Sequence, residues 1–349
     1  MPTIDADSLQ TLSVLFVAAA VTIGIFGTWL TGIVDQLADR TGLGEAIAGA
    51  VLLGASTSLS GAVLSVSAAW SGYAELAISN ALGGIAVQTA FLAVADIVYR
   101  RANLEHAAAS APNMMQNALL IALLALILLA PYLPDYTLLG VHPVTPILFL
   151  TYLYGLKLIE RVRSEPMWKP AQTRETRQDK PEAGSQLLRL SRLWTQFLIL
   201  VAVLAAAGWT MEYSASHIAE KTFLSETAVG TFLTAISTSL PELVTSVAAV
   251  RRGALTLAVG GIIGGNAFDT LFTAASDLAY RDGSIYHVMS DQMKLWTALT
   301  VLMSAVLMMG LIRREEKGIA RIGFESAAIL ALYLLGAVLV FASTLASGQ

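Results

Sequence analysis

The chain has 349 residues, 56% hydrophobic and 13% charged, with a mean hydropathy of +0.67 and a formal net charge of −4. So little charge cannot cover a water-soluble surface of this size, which places the chain in a lipid bilayer, and the small negative balance argues against a nucleic-acid partner. No cysteine is present, which excludes disulfides, thiolate metal sites and a cysteine nucleophile.

The first ten residues carry Asp5 and Asp7 but no lysine or arginine. That is the wrong start for a cleaved signal peptide, so the first apolar segment is expected to be retained. A helix needs about 20 apolar residues to cross the hydrocarbon core. On that criterion the chain offers ten spans, near 11–32, 44–69, 73–99, 115–133, 137–158, 193–212, 225–250, 254–280, 292–312 and 322–346. The one substantial polar connection, about 159–190, contains Arg161, Arg163, Lys169, Arg174, Arg177 and Lys180 and separates five spans from five. The expected organisation is all-α: a five-helix repeat over 1–158, a cytoplasmic loop over 159–192 and a second five-helix repeat over 193–349.

Lysine and arginine set the orientation. With the central loop in the cytoplasm, Arg40, Arg100, Arg101, Arg251, Arg252, Arg313, Arg314, Lys317 and Arg321 are inside as well. Of the 21 basic residues, Lys221, Arg281 and Lys294 are then the ones outside, and both termini face out. The basic loop reads first as a topology anchor, with contact to anionic lipid, helped by Trp168, as the alternative.

Sliding the chain on itself by 181 positions aligns 41–100 with 222–281 without a gap. About 25 of the 60 pairs are identical, too many for chance, so the unit is duplicated. Matched pairs include Glu45/Glu226, Gly49/Gly230, Ser65/Ser246, Gly83-Gly84/Gly264-Gly265 and Asp96/Asp277. His106 falls opposite His287. Five spans per unit is an odd number, so the second unit enters the membrane from the opposite side. Inverted repeats of this kind mark many secondary transporters, with the ion site where the repeats meet at the midplane.

The chemistry is concentrated at the middle of the repeat. In Ser237-Thr238-Ser239-Leu240-Pro241-Glu242, Pro241 has no N–H to donate, so the carbonyl of Ser237 is expected to lose its partner and the helix to kink. Thr238 and Ser239 stand four and three residues before Glu242, on one helical face. The next span carries Gly260-Gly261-Ile262-Ile263-Gly264-Gly265-Asn266-Ala267-Phe268-Asp269, with Asn266 and Asp269 on one face. Carboxylates, hydroxyls, an amide and a freed carbonyl are hard oxygen ligands suited to Ca²⁺ or Na⁺. An ionised carboxylate at mid-membrane costs about 2.5–3.5 kcal/mol, so two near each other call for a shared cation or proton. A pair of neutral acids holding helices together is the structural alternative.

Glu242 in Thr-Ser-Leu-Pro-Glu and Asp269 in Gly-Gly-Asn-Ala-Phe-Asp resemble the second alpha-repeat of the sodium/calcium exchanger family, within the cation/calcium exchanger superfamily. The resemblance covers 222–281 well and 41–100 partly. It implies ten helices, inverted repeats and a cytoplasmic loop after the fifth helix. It also implies that Thr238, Ser239, Glu242, Asn266 and Asp269 line the cation site, with Thr57, Ser58, Gly84 and Gln88 contributed by the first repeat. The first repeat departs from the family pattern: Ser60-Gly61 stands where Pro-Glu is usual, and Gly83-Gly84-Ile85-Ala86-Val87-Gln88 replaces a run containing asparagine. Two carboxylates balance one Ca²⁺, or one Na⁺ and one proton, so fewer ions or weaker Ca²⁺ binding is expected. Glu75 is too far along its helix from Gln88 to replace the missing acid, about 20 Å.

Glu45 and Glu226 read as helix-start carboxylates favoured by the helix dipole, and Asp96 and Asp277 as residues at the membrane interface. His106, His142, His217 and His287 all fall near span ends, away from any protease-like arrangement. The resulting expectation is a secondary cation antiporter and not an enzyme, without a cofactor, whose partners are the lipid bilayer and inorganic cations. It is expected in a prokaryotic inner membrane. The alternatives are a monovalent cation/proton exchanger and a non-transporting sensor or scaffold derived from an exchanger.

Overall fold

The computed structural model describes residues 8–177, 189–221, 238–318 and 322–347. Apart from one isolated bridge between Leu138 and Val141, the regular structure among these residues is helical. We number the spans α1 Leu9–Thr41, α2 Glu45–Thr57 plus Leu59–Trp70, α3 Ala74–Val98, α4 Ala111–Leu129 and α5 Val144–Ser164. The second set is α6 Leu190–Lys221, α7 Leu240–Arg252, α8 Leu255–Ala279, α9 Asp291–Arg313 and α10 Phe324–Ser347. Seven of them are long and apolar enough to cross a membrane unaided, and α2 is an eighth once its two halves, bent by 53°, are joined. α5 has 21 residues with basic groups in its last turn, and α7 is the described part of the span expected at 225–250. The ten expected spans therefore correspond to ten helices in two inverted sets of five.

Local chemistry sets several of the ends. Ser8 caps α1, its hydroxyl accepting from Thr11 N at 3.1 Å, and Gly42 closes the helix in the left-handed region. Ser110 and Ser290 cap α4 and α9 in the same way.

The repeat register runs through the whole chain. A shift of 181 carries the start of α1 onto α6, Leu59 of α2 onto Leu240 of α7, and both ends of α3 onto both ends of α8. It carries side-chain bonds as well. Asp96 Oδ1 accepts from Leu104 N at 2.7 Å and Asp277 Oδ1 from Ile285 N at 3.2 Å. Asp96 Oδ2 accepts from Gly323 N at 3.1 Å and Asp277 Oδ2 from His142 N at 2.8 Å. His106 meets Arg314 O at 2.6 Å while His287 meets Leu133 O at 2.9 Å. Each aspartate thus takes one backbone donor from its own repeat and one from the other, which locks the two together. This corrects the reading of Asp96 and Asp277 as interface residues, since both are wholly buried. It also refines Glu45, whose Oε2 accepts from Leu257 N at 3.1 Å and so caps α8 as well as starting its own helix.

Burial separates centre from periphery. In their apolar stretches α8 is 94% and α3 72% buried, against 17% for α1. α3 and α8 are therefore the central helices, while α1 packs along α6 at the outside. Lipid offers no hydrophobic drive for helix association, so close backbone approach must supply it. The first half of α2 makes that approach to α8: a Cβ on Gly54 would lie 2.6 Å from Gly265 Cα, and one on Gly49 2.7 Å from Gly261 N. Residues Gly49–Gly54 are wound as a π-helix, a local widening common at functional positions.

Gly54→Ala puts a methyl against backbone that cannot yield, and overpacking of this kind costs about 1–3 kcal/mol. Thermal unfolding of the detergent-solubilised protein should show a clear loss of stability for Gly54→Ala. Gly24→Ala, where no atom lies within 4 Å, should leave it unchanged.

Candidate cation site

Two helix breaks organise the centre. Ser58 (φ −86°, ψ 1°) separates the halves of α2, and Ser239 (φ −92°, ψ 9°) precedes α7. These are repeat-equivalent positions in the same non-helical conformation. A proline is not required for such a break. Pro241 sits in the first turn of α7, where its missing N–H would have no helical partner anyway. Ser60, at the same place in α2, accompanies a 53° bend without any proline. The expected continuous face from Thr238 to Glu242 is corrected accordingly: Ser239 interrupts it. Ser237, whose carbonyl Pro241 is expected to free, lies outside the described residues.

The break has an electrostatic consequence. Glu242 lies in the first turn of α7, where the helix N-terminus favours negative charge inside the membrane. Its Oε1 accepts from Ser58 Oγ at 3.3 Å. On α8, Asp269 Oδ2 accepts from Gln88 Nε2 at 3.0 Å, a bond between repeat-equivalent positions. Ser58 also lies within hydrogen-bonding reach of Asp269, and the two carboxylates feel each other's charge. Asn266, one turn before Asp269, donates through Nδ2 to Thr89 Oγ1 at 2.9 Å. Thr57 donates to its own helix, to Gly54 O at 2.9 Å and Leu53 O at 3.2 Å, and also lies within hydrogen-bonding reach of Glu242. Ser239 is buried, and its Oγ is 3.9 Å from where a Gly84 Cβ would stand. Thr238 is half-buried.

Acceptors outnumber donors here. Glu242, Asp269, Gln88 and Asn266 are all at most 4% exposed. Glu242 Oε2, Asp269 Oδ1, Gln88 Oε1 and Asn266 Oδ1 are buried without a hydrogen-bond partner. Each such atom costs about 1–3 kcal/mol unless something satisfies it. Thr57 and Glu242 also line a small cavity of about 10 Å³ with Thr245, Ser246 and Gly261, room for about one water-sized occupant. Among the described residues no three His, Cys, Asp or Glu side chains converge as a metal site. The centre is built instead from two carboxylates with hydroxyls and amides.

Several residues escape the sequence reading. Thr245 and Ser246 line the cavity, and their spacing of three and four from Glu242 is the signal that finds them. The place of the missing carboxylate is flanked by Phe272 and Asn80: a Cβ on Gly61 would stand in ordinary contact, 3.5 Å from the Phe272 ring and 3.6 Å from Asn80 Nδ2. Asn80 Nδ2 donates to Gly61 O at 3.0 Å and to Ser65 Oγ at 2.8 Å, closing that side. Glu75 is exposed and takes no part. Glu212 in α6 is a buried carboxylate one turn beyond Gly208, which abuts Ser60 Oγ.

The model of the sodium/calcium exchanger protein family matches residues 11–159 and 192–342. The chain belongs to this family. Members of the family are transporters, and this one is an integral membrane protein. Among curated relatives, the inner membrane protein YrbG of Escherichia coli is 31% identical over 140 residues, 40% of this chain and 42% of its own length. The sodium/calcium exchanger MaX1 of Methanosarcina acetivorans is 39% identical over 74 residues, 21% of each chain. The putative antiporter CaxA of Alkalimonas amylolytica is 31% identical over 126 residues, 35% of this chain and 40% of CaxA. The matched segments thus span well under half the length of these relatives. A solved structure of the sodium-calcium exchanger NCX_Mj, soaked with Na⁺ and without Ca²⁺, superposes with TM-score 0.67 over 94% of this chain and 98% of that one. At 18% identity, that likeness establishes the fold.

Proposed function

We propose that the chain is a secondary active antiporter that moves Ca²⁺ or a related cation against Na⁺ or H⁺ by alternating access. The observation that carries this reading is the set of four buried, unpartnered oxygens on Glu242, Asp269, Gln88 and Asn266. A cation held between the Glu242 and Asp269 carboxylates would take up such acceptors, and Glu242 lines a cavity of about 10 Å³ with room for about one occupant. Glu242 and Asp269 supply the charge. Thr57, Ser58, Ser237, Thr238, Ser239, Gln88 and Asn266 supply neutral oxygens toward the 6–8 that Ca²⁺ prefers.

Inverted repeats give alternating access a physical basis, because each repeat can adopt the conformation of the other. The units divide at 1–158, 159–192 and 193–349, and the bias of lysine and arginine favours a cytoplasmic central loop with both termini outside. The name of the Escherichia coli relative supports a prokaryotic inner membrane, and those of MaX1 and CaxA support cation antiport. The cations are cargo, and the scheme uses no cofactor.

One observation favours a second reading. With Gly61 standing where the second repeat has Glu242, two carboxylates hold the centre, a charge that suits one monovalent cation exchanged for a proton. Flux into proteoliposomes under imposed Na⁺, H⁺ and Ca²⁺ gradients separates the readings: Ca²⁺ dependence supports the first, and proton-coupled flux indifferent to Ca²⁺ supports the second. In either case Glu242→Gln and Asp269→Asn should each lower flux at least about tenfold, the equivalent of 1.4 kcal/mol. Unchanged flux in both variants would remove these carboxylates from transport.

A further inference from the structure

The two repeats tie the same knot but fill it with different chemistry. In the second, Asp277 receives two backbone N–H groups and the Thr145 hydroxyl at 2.6 Å, and Thr145 meets the Tyr286 hydroxyl at 2.8 Å. One carboxylate is thus satisfied by neutral donors. In the first, Asp96 receives two backbone N–H groups and lies in reach of Ser326, the equivalent of Thr145. Tyr286, however, is replaced by Glu105, and Val144 by Glu325. Three buried carboxylates stand where the twin has one, none more than 1% exposed.

Both oxygens of Glu105 and both of Glu325 are buried without a conventional donor. The two side chains lie within hydrogen-bonding reach of each other. Glu325 is wedged against Gly310 of α9 and against Gly323, neither of which has space for a Cβ. The groups facing the pair are acidic: Asp96 from α3, and Glu315 from the connection between α9 and α10. Nearby cations are engaged elsewhere. Arg314 donates to Ala171 O, His106 O and Thr176 Oγ1, Arg313 pairs with Glu315, and the His106 ring meets Arg314 O and Thr173. Burial first, and then the Asp96 and Glu325 charges, push the Glu105 carboxyl well above the ordinary range. Two facing carboxyl groups without a cation are stable with one proton between them.

We propose that Glu105 and Glu325 form a proton-binding site that clamps the start of α10 onto the short helix Leu104–Ala107. The residues that follow α9 are stapled there by Asn103, which donates through Nδ2 to Glu315 O at 2.8 Å and through its backbone N to Glu316 O at 3.0 Å. The sign follows from linkage: the closed form binds the proton and the opened form does not, so closure weakens as pH rises through the pair's titration. In the second repeat the hydroxyl pair Thr145–Tyr286 gives the matching knot no such dependence.

The test is amide hydrogen exchange on the full-length protein in lipid nanodiscs, read as protection factors for Leu104 and Gly323. In the wild type, protection should fall by about tenfold per pH unit across the titration of one proton. Glu105→Gln or Glu325→Gln should flatten that slope. Infrared spectra should show a buried carboxylic-acid C=O band that the double variant lacks. A wild type without the slope or without the band, or a slope retained in both single variants, would overturn the proposal. Neither readout requires transport, so a failure here is separate from any failure of the antiport reading.

Discussion

An excess of buried acceptors over donors around Glu242 and Asp269 is the constraint on which the rest of the molecule depends. Inside a membrane an unsatisfied oxygen cannot turn to water, so those on Glu242, Asp269, Gln88 and Asn266 are tolerable only if the surrounding helices hold them against collapse. Three features do so. The glycine-to-backbone crossing of α2 on α8 fixes the distance between the repeats. The breaks at Ser58 and Ser239 bring a helix start to mid-membrane, where it favours the Glu242 charge. The bond from Gln88 to Asp269 joins equivalent positions of the two repeats and keeps one oxygen of Asp269 occupied while the other stays available.

The duplication explains the architecture, and its lapses explain the individuality of this chain. Asp96 and Asp277 perform the same task by equivalent bonds, each using one backbone donor from its own repeat and one from the opposite repeat. Where the copies diverge, the differences are chemical. Gly61 faces Phe272 and Asn80 where its twin is Glu242, so the centre carries two carboxylates contributed by one repeat. Glu105 stands where the other copy has Tyr286, which shifts a neutral hydrogen-bonded knot to one that needs a proton.

Much of this was legible in the residues. Spans of apolar residues, the offset of 181 and the Thr-Ser-Leu-Pro-Glu and Gly-Gly-Asn-Ala-Phe-Asp segments pointed to the ten helices, the inversion and the central carboxylates. The offset even holds for bonds far outside the segment in which identity is visible, such as His106 to Arg314 and His287 to Leu133. What was not legible depended on contacts across long separations. Pro241 attracts attention as a helix breaker, yet the backbone breaks at Ser239 and equally at Ser58, where no proline follows. Asp96 and Asp277 look like interfacial charges because their span ends are visible while the donors that bury them, Gly323 and His142, are distant in sequence. Glu212 and Glu105 sit among polar neighbours near span ends, and their burial follows from packing that local pattern does not encode.

If the orphaned oxygens around Glu242 and Asp269 hold a cation, the purified protein binds it directly. Calorimetric titration of the purified, detergent-solubilised protein with Ca²⁺, and separately with Na⁺, tests it without requiring transport. Saturable binding of at least one of these ions is expected in the wild type, abolished in both Glu242→Gln and Asp269→Asn. Binding that survives undiminished in both variants, or its absence from the wild type for both ions, would contradict it.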